Sequence, residues 1–295
     1  MMNTFASQKR DVQNEKDTQT LKEEWPYLFT TTGLKTHFKE LTGVHINQEF
    51  QEDMKRKYKR ILGYLKSLRP ARESRAAKLL PQIQGNPGED SCGALLLLLA
   101  HFKEDQNKML INVDDTCVAT DVDLRHLPTT PCILLCGESP MTASAFMVAV
   151  DQLVVNDRIL TFTEAVNDMF MIYYALNIDY PVELGATMEF IQRCIFRINP
   201  VKGSKVQKQG NKKRLAVNPK VLSLLSKILE HGITDCGHVP WFSPSSTSLC
   251  CTSFPLIPSQ RPPDIGSEKE EALKLCPVFC TEQQRREKKR VGPHG

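Results

Sequence analysis

The apolar positions of this chain change period along its length, and the changes divide it into elements. From Ile46 to Leu68 they fall at Phe50, Met54, Tyr58, Ile61, Leu65 and Leu68, spaced 4, 4, 3, 4 and 3. That spacing predicts a helix with one buried stripe, ended by Pro70. A short helix is expected before it, from Thr36 to Leu41 and stopped at Thr42-Gly43, and others over Arg72–Leu80 and Ala94–Lys103. The last of these is apolar enough to be buried.

From Met109 the period shortens. Met109–Val113 and Pro131–Cys136 are brief apolar runs bounded by polar or turn residues, as buried strands are. Phe146–Val150 and Leu153–Val155, separated by Asp151-Gln152, read as a hairpin with a two-residue connection. Helical spacing then returns. Thr161 or Thr163 can cap a helix running to about Leu176, Pro181 opens the next, and a final one runs from Pro219 to Glu230 and stops at Gly232.

The flanks lack such periodicity. Residues 1–20 are polar and mixed in charge, and read as a disordered lead-in. Trp25-Pro-Tyr-Leu-Phe29 brings three aromatics around a proline and reads as an extended segment laid onto a core. Residues 201–218 read as a basic loop. After Gly232 prolines and a Ser/Thr cluster mark 233–295 as an unfolded tail that also carries cysteines. The expected folded unit is therefore one α+β domain over 21–232: helical over 34–105, a small, mostly antiparallel sheet over 109–156, and helices again over 161–230.

Composition changes little in this picture. The chain has 295 residues, 41% of them hydrophobic and 24% charged, as in ordinary globular proteins. Its longest apolar run, Ala94–Ala100, is far below the roughly 18 residues of a membrane span. No secretory leader or glycosylation sequon is visible, so an intracellular protein with reduced thiols is expected. The net charge is only +4, but between Val201 and Lys220 stand seven cations and no acid. Lys202, Lys205, Lys208, Lys212, Lys213 and Arg214 form the patch that could serve nuclear import or contact anions. The cations of the 46–68 helix (Lys55, Arg56, Lys57, Lys59 and Arg60) read first as a solvated face.

Familiar reaction chemistries are missing. Neither phosphate-cradling glycine motif occurs. Gly137-Glu138-Ser139 lacks the second glycine of a nucleophile elbow, since Met141 stands there. Cys132 and Cys136 on a strand would sit roughly 13 Å apart, too far to share a zinc ion. Cys236, His238, Cys250, Cys251, Cys276 and Cys280 lack compact knuckle spacing. Asp121-Val122-Asp123 reads as a solvated loop, and His37 and His101 as structural or solvated. No catalytic residue, metal ligand, cofactor or small-molecule substrate is assigned.

Several strings resemble one family: Trp25–Phe29, Thr36–Gly43, Leu97–Lys103, Thr130–Pro140, Phe146–Asp157, Tyr180–Gly185 and Phe190–Pro200. Together, over about residues 21–230, they resemble the C-terminal region of vertebrate sterile-alpha-motif-domain-containing protein 3-like proteins. The resemblance implies no activity or catalytic residue. The sterile alpha motif that some relatives carry is not expected here, since only residues 1–20 precede the folded part, and no polymerisation through it is inferred. The functional expectation is a non-enzymatic interaction or regulatory protein with a protein partner, in cytoplasm or nucleus. The alternative is a nuclear protein that binds nucleic acid without sequence preference through residues 202–220.

Overall fold

The computed structural model describes residues 2–85, 89–200, 205–206 and 217–235, all within one compact unit. The expected 233–295 tail, apart from 233–235, and most of the basic loop lie outside the described residues. The chain begins with helices α1 (Met2–Gln13) and α2 (Thr18–Glu24), then a 3₁₀ turn over Pro26–Phe29 and helix α3 (Thr31–Thr42). Helices α4 (Gln48–Ser67), α5 (Arg75–Gly85) and α6 (Asp90–Phe102) complete the first helical part. Strands β1 (Leu110–Val113), β2 (Cys132–Cys136), β3 (Ala145–Val150) and β4 (Leu153–Ile159) come next. The described chain closes with α7 (Phe162–Ala175), α8 (Gly185–Phe190) running into a π-helical turn over Ile191–Ile195, and α9 (Pro219–Asp235).

The sheet has the order β1-β2-β3-β4. β2 pairs antiparallel with β3 and β3 with β4, while β1 runs parallel to β2. The α+β class and the mostly antiparallel sheet are therefore as the periodicity predicts. Asp151 and Gln152 both have positive φ, 50° and 59°, the geometry of a two-residue hairpin turn whose twist matches its strands. All five residues of β2 are buried, because helices cover one face and loop residues such as Val122 and Leu127 pack with the other.

Helix α6 has no polar face. Ser91 to Leu99 are all buried, so the helix must be enclosed on every side, and α4, α5, α7 and α8 surround it. Both ends of α6 brace a neighbour. Glu89, its N-cap residue, accepts hydrogen bonds from the amides of Phe162 (3.1 Å) and Thr163 (2.9 Å) at the start of α7. Glu104, just past its other end, accepts from Ala186 (2.7 Å) and Thr187 (2.9 Å) at the start of α8. Each carboxylate thus satisfies amides that have no partner within their own helix.

A second set of polar bonds secures the π-helical turn. Arg193 and Glu189 form a buried ion pair of 3.1 Å, and Glu189 also accepts from the Asn218 amide at 3.2 Å. Lys57 of α4 pairs with Asp53 at 3.0 Å and donates to the Ile195 carbonyl, and Arg197 reaches the same Asp53 at 2.7 Å. Phe196 stacks on Phe170 with centroids 3.9 Å apart. Lys57 is therefore no member of a solvated face; it is buried at 2% exposure, whereas Lys55, Arg56 and Lys59 are exposed.

Several expectations need correction. Residues 1–20 are not an unstructured lead-in: α1 and the first turn of α2 occupy them. The Gln8 carboxamide meets the His37 ring at 3.0 Å, Asp11 accepts from the Trp25 indole at 3.0 Å, and Lys22 donates to the Val154 carbonyl at 2.8 Å. These anchors are polar, so apolar periodicity could not reveal them. Trp25–Phe29 coils into a 3₁₀ turn instead of lying extended, burying Leu28 and Phe29 and leaving Tyr27 exposed. Helix α3 starts earlier than Thr36, capped by Thr30, and α9 continues past Gly232 to Asp235. Helix α5 runs from Arg75 to Gly85 with Pro81 inside it.

This packing sets two measurable expectations. A Cβ on Gly33 would lie 1.7 Å from the Tyr27 carbonyl oxygen, a backbone atom that cannot turn aside. Gly33→Ala should therefore destabilise the fold by on the order of 2–4 kcal/mol in thermal denaturation, although alanine favours helix by about 1 kcal/mol. The second concerns Asp168, which is buried and accepts from Thr31 (2.9 Å) and Asn156 (2.8 Å) through one oxygen while the other has no partner. Burial raises its carboxyl from 3.8 to about 6. The folded chain thus holds this proton where the unfolded chain releases it, and stability falls as pH rises from about 4 to about 6. Asp168→Asn should flatten that slope, gaining on wild type by about 1–3 kcal/mol between pH 4.5 and 7.5 in denaturant titrations.

Candidate functional site

Buried polar groups without partners mark where a fold is left incomplete. Two residues that carry such atoms, Tyr58 (its hydroxyl) and Asn167 (its side-chain oxygen), are among those lining one cleft of about 550 Å³ between α4, the start of α6 and the start of α7, with the two atoms themselves closed off behind its wall. Tyr58 is 1% exposed and Asn167 3%. Gln51, Met54 and Lys55 contribute from α4, Glu89, Asp90 and Ser91 from the start of α6, and Thr161, Thr163 and Glu164 from α7.

Local structure explains the placement. Asn47 caps α4 by accepting from the Phe50 amide, and the apolar stripe of that helix turns Met54 and Tyr58 inward. A tyrosine in such a stripe buries its ring as well as phenylalanine does, but brings a hydroxyl that needs an acceptor. Burial, with the Glu89 charge adding to it, pushes that phenol well above its usual value, so it remains a donor at neutral pH. Asn167 lies in a helix whose neighbouring positions Val166, Met169, Phe170 and Met171 are all buried.

The charged groups around this floor are unevenly engaged. Glu89 takes the two α7 amides, the Ser91 hydroxyl at 3.1 Å and the Thr163 hydroxyl. Thr161 caps α7 by accepting from the Glu164 amide and donates to its carboxylate at 3.1 Å. The first amides of α7 are thereby occupied, so this helix start is not a free anion cradle. Lys55 pairs with Glu52 at 3.1 Å. Three carboxylates (Glu89, Asp90 and Glu164) face one ammonium, and the rim is net acidic.

A larger cleft of about 750 Å³ lies beside β1, lined among others by Gln82, Asn107, Asn112, His126 and Glu138. None of its lining residues has a buried side-chain polar atom without a partner, which is why the α4–α6–α7 cleft is the stronger candidate.

Of the six basic-patch residues, Lys202, Lys208, Lys212, Lys213 and Arg214 lie outside the described residues. Lys205 sits 5.4 Å from the centre of the Tyr174 ring, and its carbonyl accepts from the Tyr180 amide at 2.7 Å. Lys205 is not among the cleft residues. Cys92, Cys117, Cys132, Cys136 and Cys194 are free thiols, and burial pushes Cys92, Cys132 and Cys194 up to about 12. His37 is buried and held down to about 4 by desolvation, hence neutral, whereas His101 is exposed. Asp123 is held by Arg125 in an exposed loop. Among the described residues no three His, Cys, Asp or Glu side chains converge as a metal site would require.

Tyr58 and Asn167 were legible in sequence only as part of the helical pattern. The available signal was chemical: a tyrosine in a buried stripe and an asparagine in a helix buried nearly all round each need a partner that no periodicity supplies.

In comparison with known proteins, residues 1–30 match the family described as "Sterile alpha motif domain-containing protein 3, helical domain". In this chain that segment holds α1, α2 and the 3₁₀ turn. The match supports a relation to this family through the N-terminal segment, not through the C-terminal region suggested by the strings from Trp25 to Pro200. No curated protein matches the chain, and no solved structure matches it.

Removing an unpaired buried hydroxyl relieves a desolvation cost instead of breaking a bond. Tyr58→Phe should therefore melt at the same temperature as the wild type or higher; a loss above about 1 kcal/mol would show that the hydroxyl is bonded within the fold.

Proposed function

We propose that this is a non-enzymatic intracellular interaction or regulatory protein, whose folded domain recognises a partner group in the α4–α6–α7 cleft. The observation that carries this reading is a cleft whose wall includes Tyr58 and Asn167, two residues that each hold a buried, unpartnered polar atom behind it. Recognition fits the arrangement better than reaction. The phenol is held protonated, and the Glu89 carboxylate is occupied by four donors, so neither is poised to move a proton. Among the described residues no helix is long and apolar enough to cross a membrane. The resemblance over residues 21–230 belongs to the same proposal and adds no chemistry to it.

The test is to incubate the full chain with cell extract and identify by mass spectrometry what it retains. Tyr58→Phe and Asn167→Leu serve as controls whose folding is checked by their melting curves. Compounds held by wild type and lost from both variants, unchanged in mass after hours, are the expected result. Identical retention by all three proteins, or retention of nothing, overturns the cleft as the recognition site. Conversion of a retained compound to a new product overturns the non-enzymatic reading.

A further inference from the structure

Helix α6 is covered less completely at its far end than at its start. Near the start, Gly93 leaves room for Ile83, the buried residue of α5; a Cβ there would lie 3.0 Å from an Ile83 methyl. Near the far end, Ala76 of α5, Leu97, Ala100 and His101 of α6, and Leu65 and Leu68 line a cleft of about 360 Å³. The sequence explains the gap. Leu68 leaves α4 in an extended conformation and Pro70 follows it, so residues 68–74 lie outside any helix before α5 starts at Arg75. Leu65 and Leu97 are buried, but Leu68, Pro70, Ala76 and Ala100 are half-buried and Ala71 is exposed, which leaves apolar surface open to solvent.

The ground around this opening is cationic. Residues 66–76, 100–104 and 220–230 hold seven Lys and Arg side chains against three acids, and one of those acids, Glu104, is taken up by the α8 amides. Arg69 lines the cleft, and Arg72 stands exposed in the linker between α4 and α5. Helix α9 belongs to the same surface. Desolvation, and after it the charges of Lys227 and Lys220, hold the His101 imidazole below its ordinary value, which places both exposed ammoniums within reach of the cleft wall. None of Arg69, Arg72, Lys220 and Lys227 forms an ion pair among the described residues.

An apolar opening inside an uncommitted positive field suits a partner that is anionic and also carries an aliphatic side chain. No Phe, Tyr or Trp lines the cleft, so the bases of a nucleic acid would find no ring to stack on. The large apolar side chains that stand out from the surface, Tyr27, Val118, Leu160 and Val182, all lie on other elements. The apolar groups here are recessed, and they suit a single inserted side chain better than a bilayer.

Independently of the α4–α6–α7 cleft, with which this one shares no lining residue, we infer that the surface docks an acidic peptide segment of a partner protein. One leucine-sized side chain of the segment enters the opening beside Leu68 and Ala76, and its carboxylates lie against Arg69, Arg72, Lys220 and Lys227.

The test uses the full chain and labelled probes followed by fluorescence anisotropy: a peptide of Glu and Asp around a central Leu-Leu pair, the same peptide with Ser-Ser at the centre, and an oligothymidylate of equal charge. The leucine peptide should bind tightest, the serine peptide about tenfold more weakly, and both less well as salt is raised. The double variant Arg69→Glu/Lys227→Glu should weaken the leucine peptide by about tenfold or more, whereas the charge-matched Lys39→Glu/Arg158→Glu, at exposed positions outside the cleft, should leave it within about twofold. Ala71→Trp, in the exposed linker, should cover the opening and remove the advantage of leucine over serine; melting curves check that each variant folds. Binding through the cations of residues 202–214 would not depend on leucine, so the leucine advantage separates the two. Equal binding of the two peptides, tighter binding of the oligothymidylate, indifference to the double reversal, or no binding of any probe overturns the inference. Tyr58-dependent retention from extract is a separate result, and it stands or falls without this one.

Discussion

Helix α6 has no side to give to water, and the domain is built around that constraint. Ala94 to Leu99 wind into a helix that is apolar all round, so neighbours must enclose it. The enclosure is made by α4, α5, α7 and α8, and two of those helices are fixed in place by carboxylates at the ends of α6 itself. Glu89 holds the start of α7, and Glu104 the start of α8. The apolar burial is non-directional and would tolerate many arrangements; the two carboxylates make it directional, because helix-start amides can be satisfied from only a few positions.

The candidate site is a by-product of the same device. Where Glu89 reaches across to α7, the starts of α6 and α7 come together beside the inner stripe of α4. Their first-turn side chains (Asp90, Ser91, Thr163 and Glu164) form a polar rim over a floor that belongs to the core. Tyr58 and Asn167 carry polar atoms into a place where the fold supplies no partner. Their cost to stability is the kind that folds commonly carry at functional positions.

The π-helical turn solves the opposite problem with bonds that are nearly complete. Arg193, Glu189, Asp53, Lys57 and Arg197 are charged groups drawn inward at the π-helical turn, and each meets a counter-charge or a carbonyl. This network and the stacking of Phe196 on Phe170 tie α4 to the chain just before the basic segment.

By itself the sequence determined the features that local period and local chemistry set. The stripe of α4, the four strands, the two-residue turn at Asp151-Gln152 and the Thr161 cap of α7 each depend on residues a few positions apart, so spacing alone reveals them. Tertiary structure decided the features that depend on distant partners. Helix α1 is held by polar contacts to His37 and Trp25, and the turn at Trp25–Phe29 is held against Gly33 of α3. Lys57 is drawn from an apparently solvated face by Asp53 and the Ile195 carbonyl. The cleft lies where Glu89 meets α7, a contact between residues more than 70 positions apart. A hydrogen bond between residues far apart in the chain leaves no periodic trace in sequence, and a missing bond at Tyr58 or Asn167 leaves even less, since only the packed structure shows which polar atoms have been left without a partner.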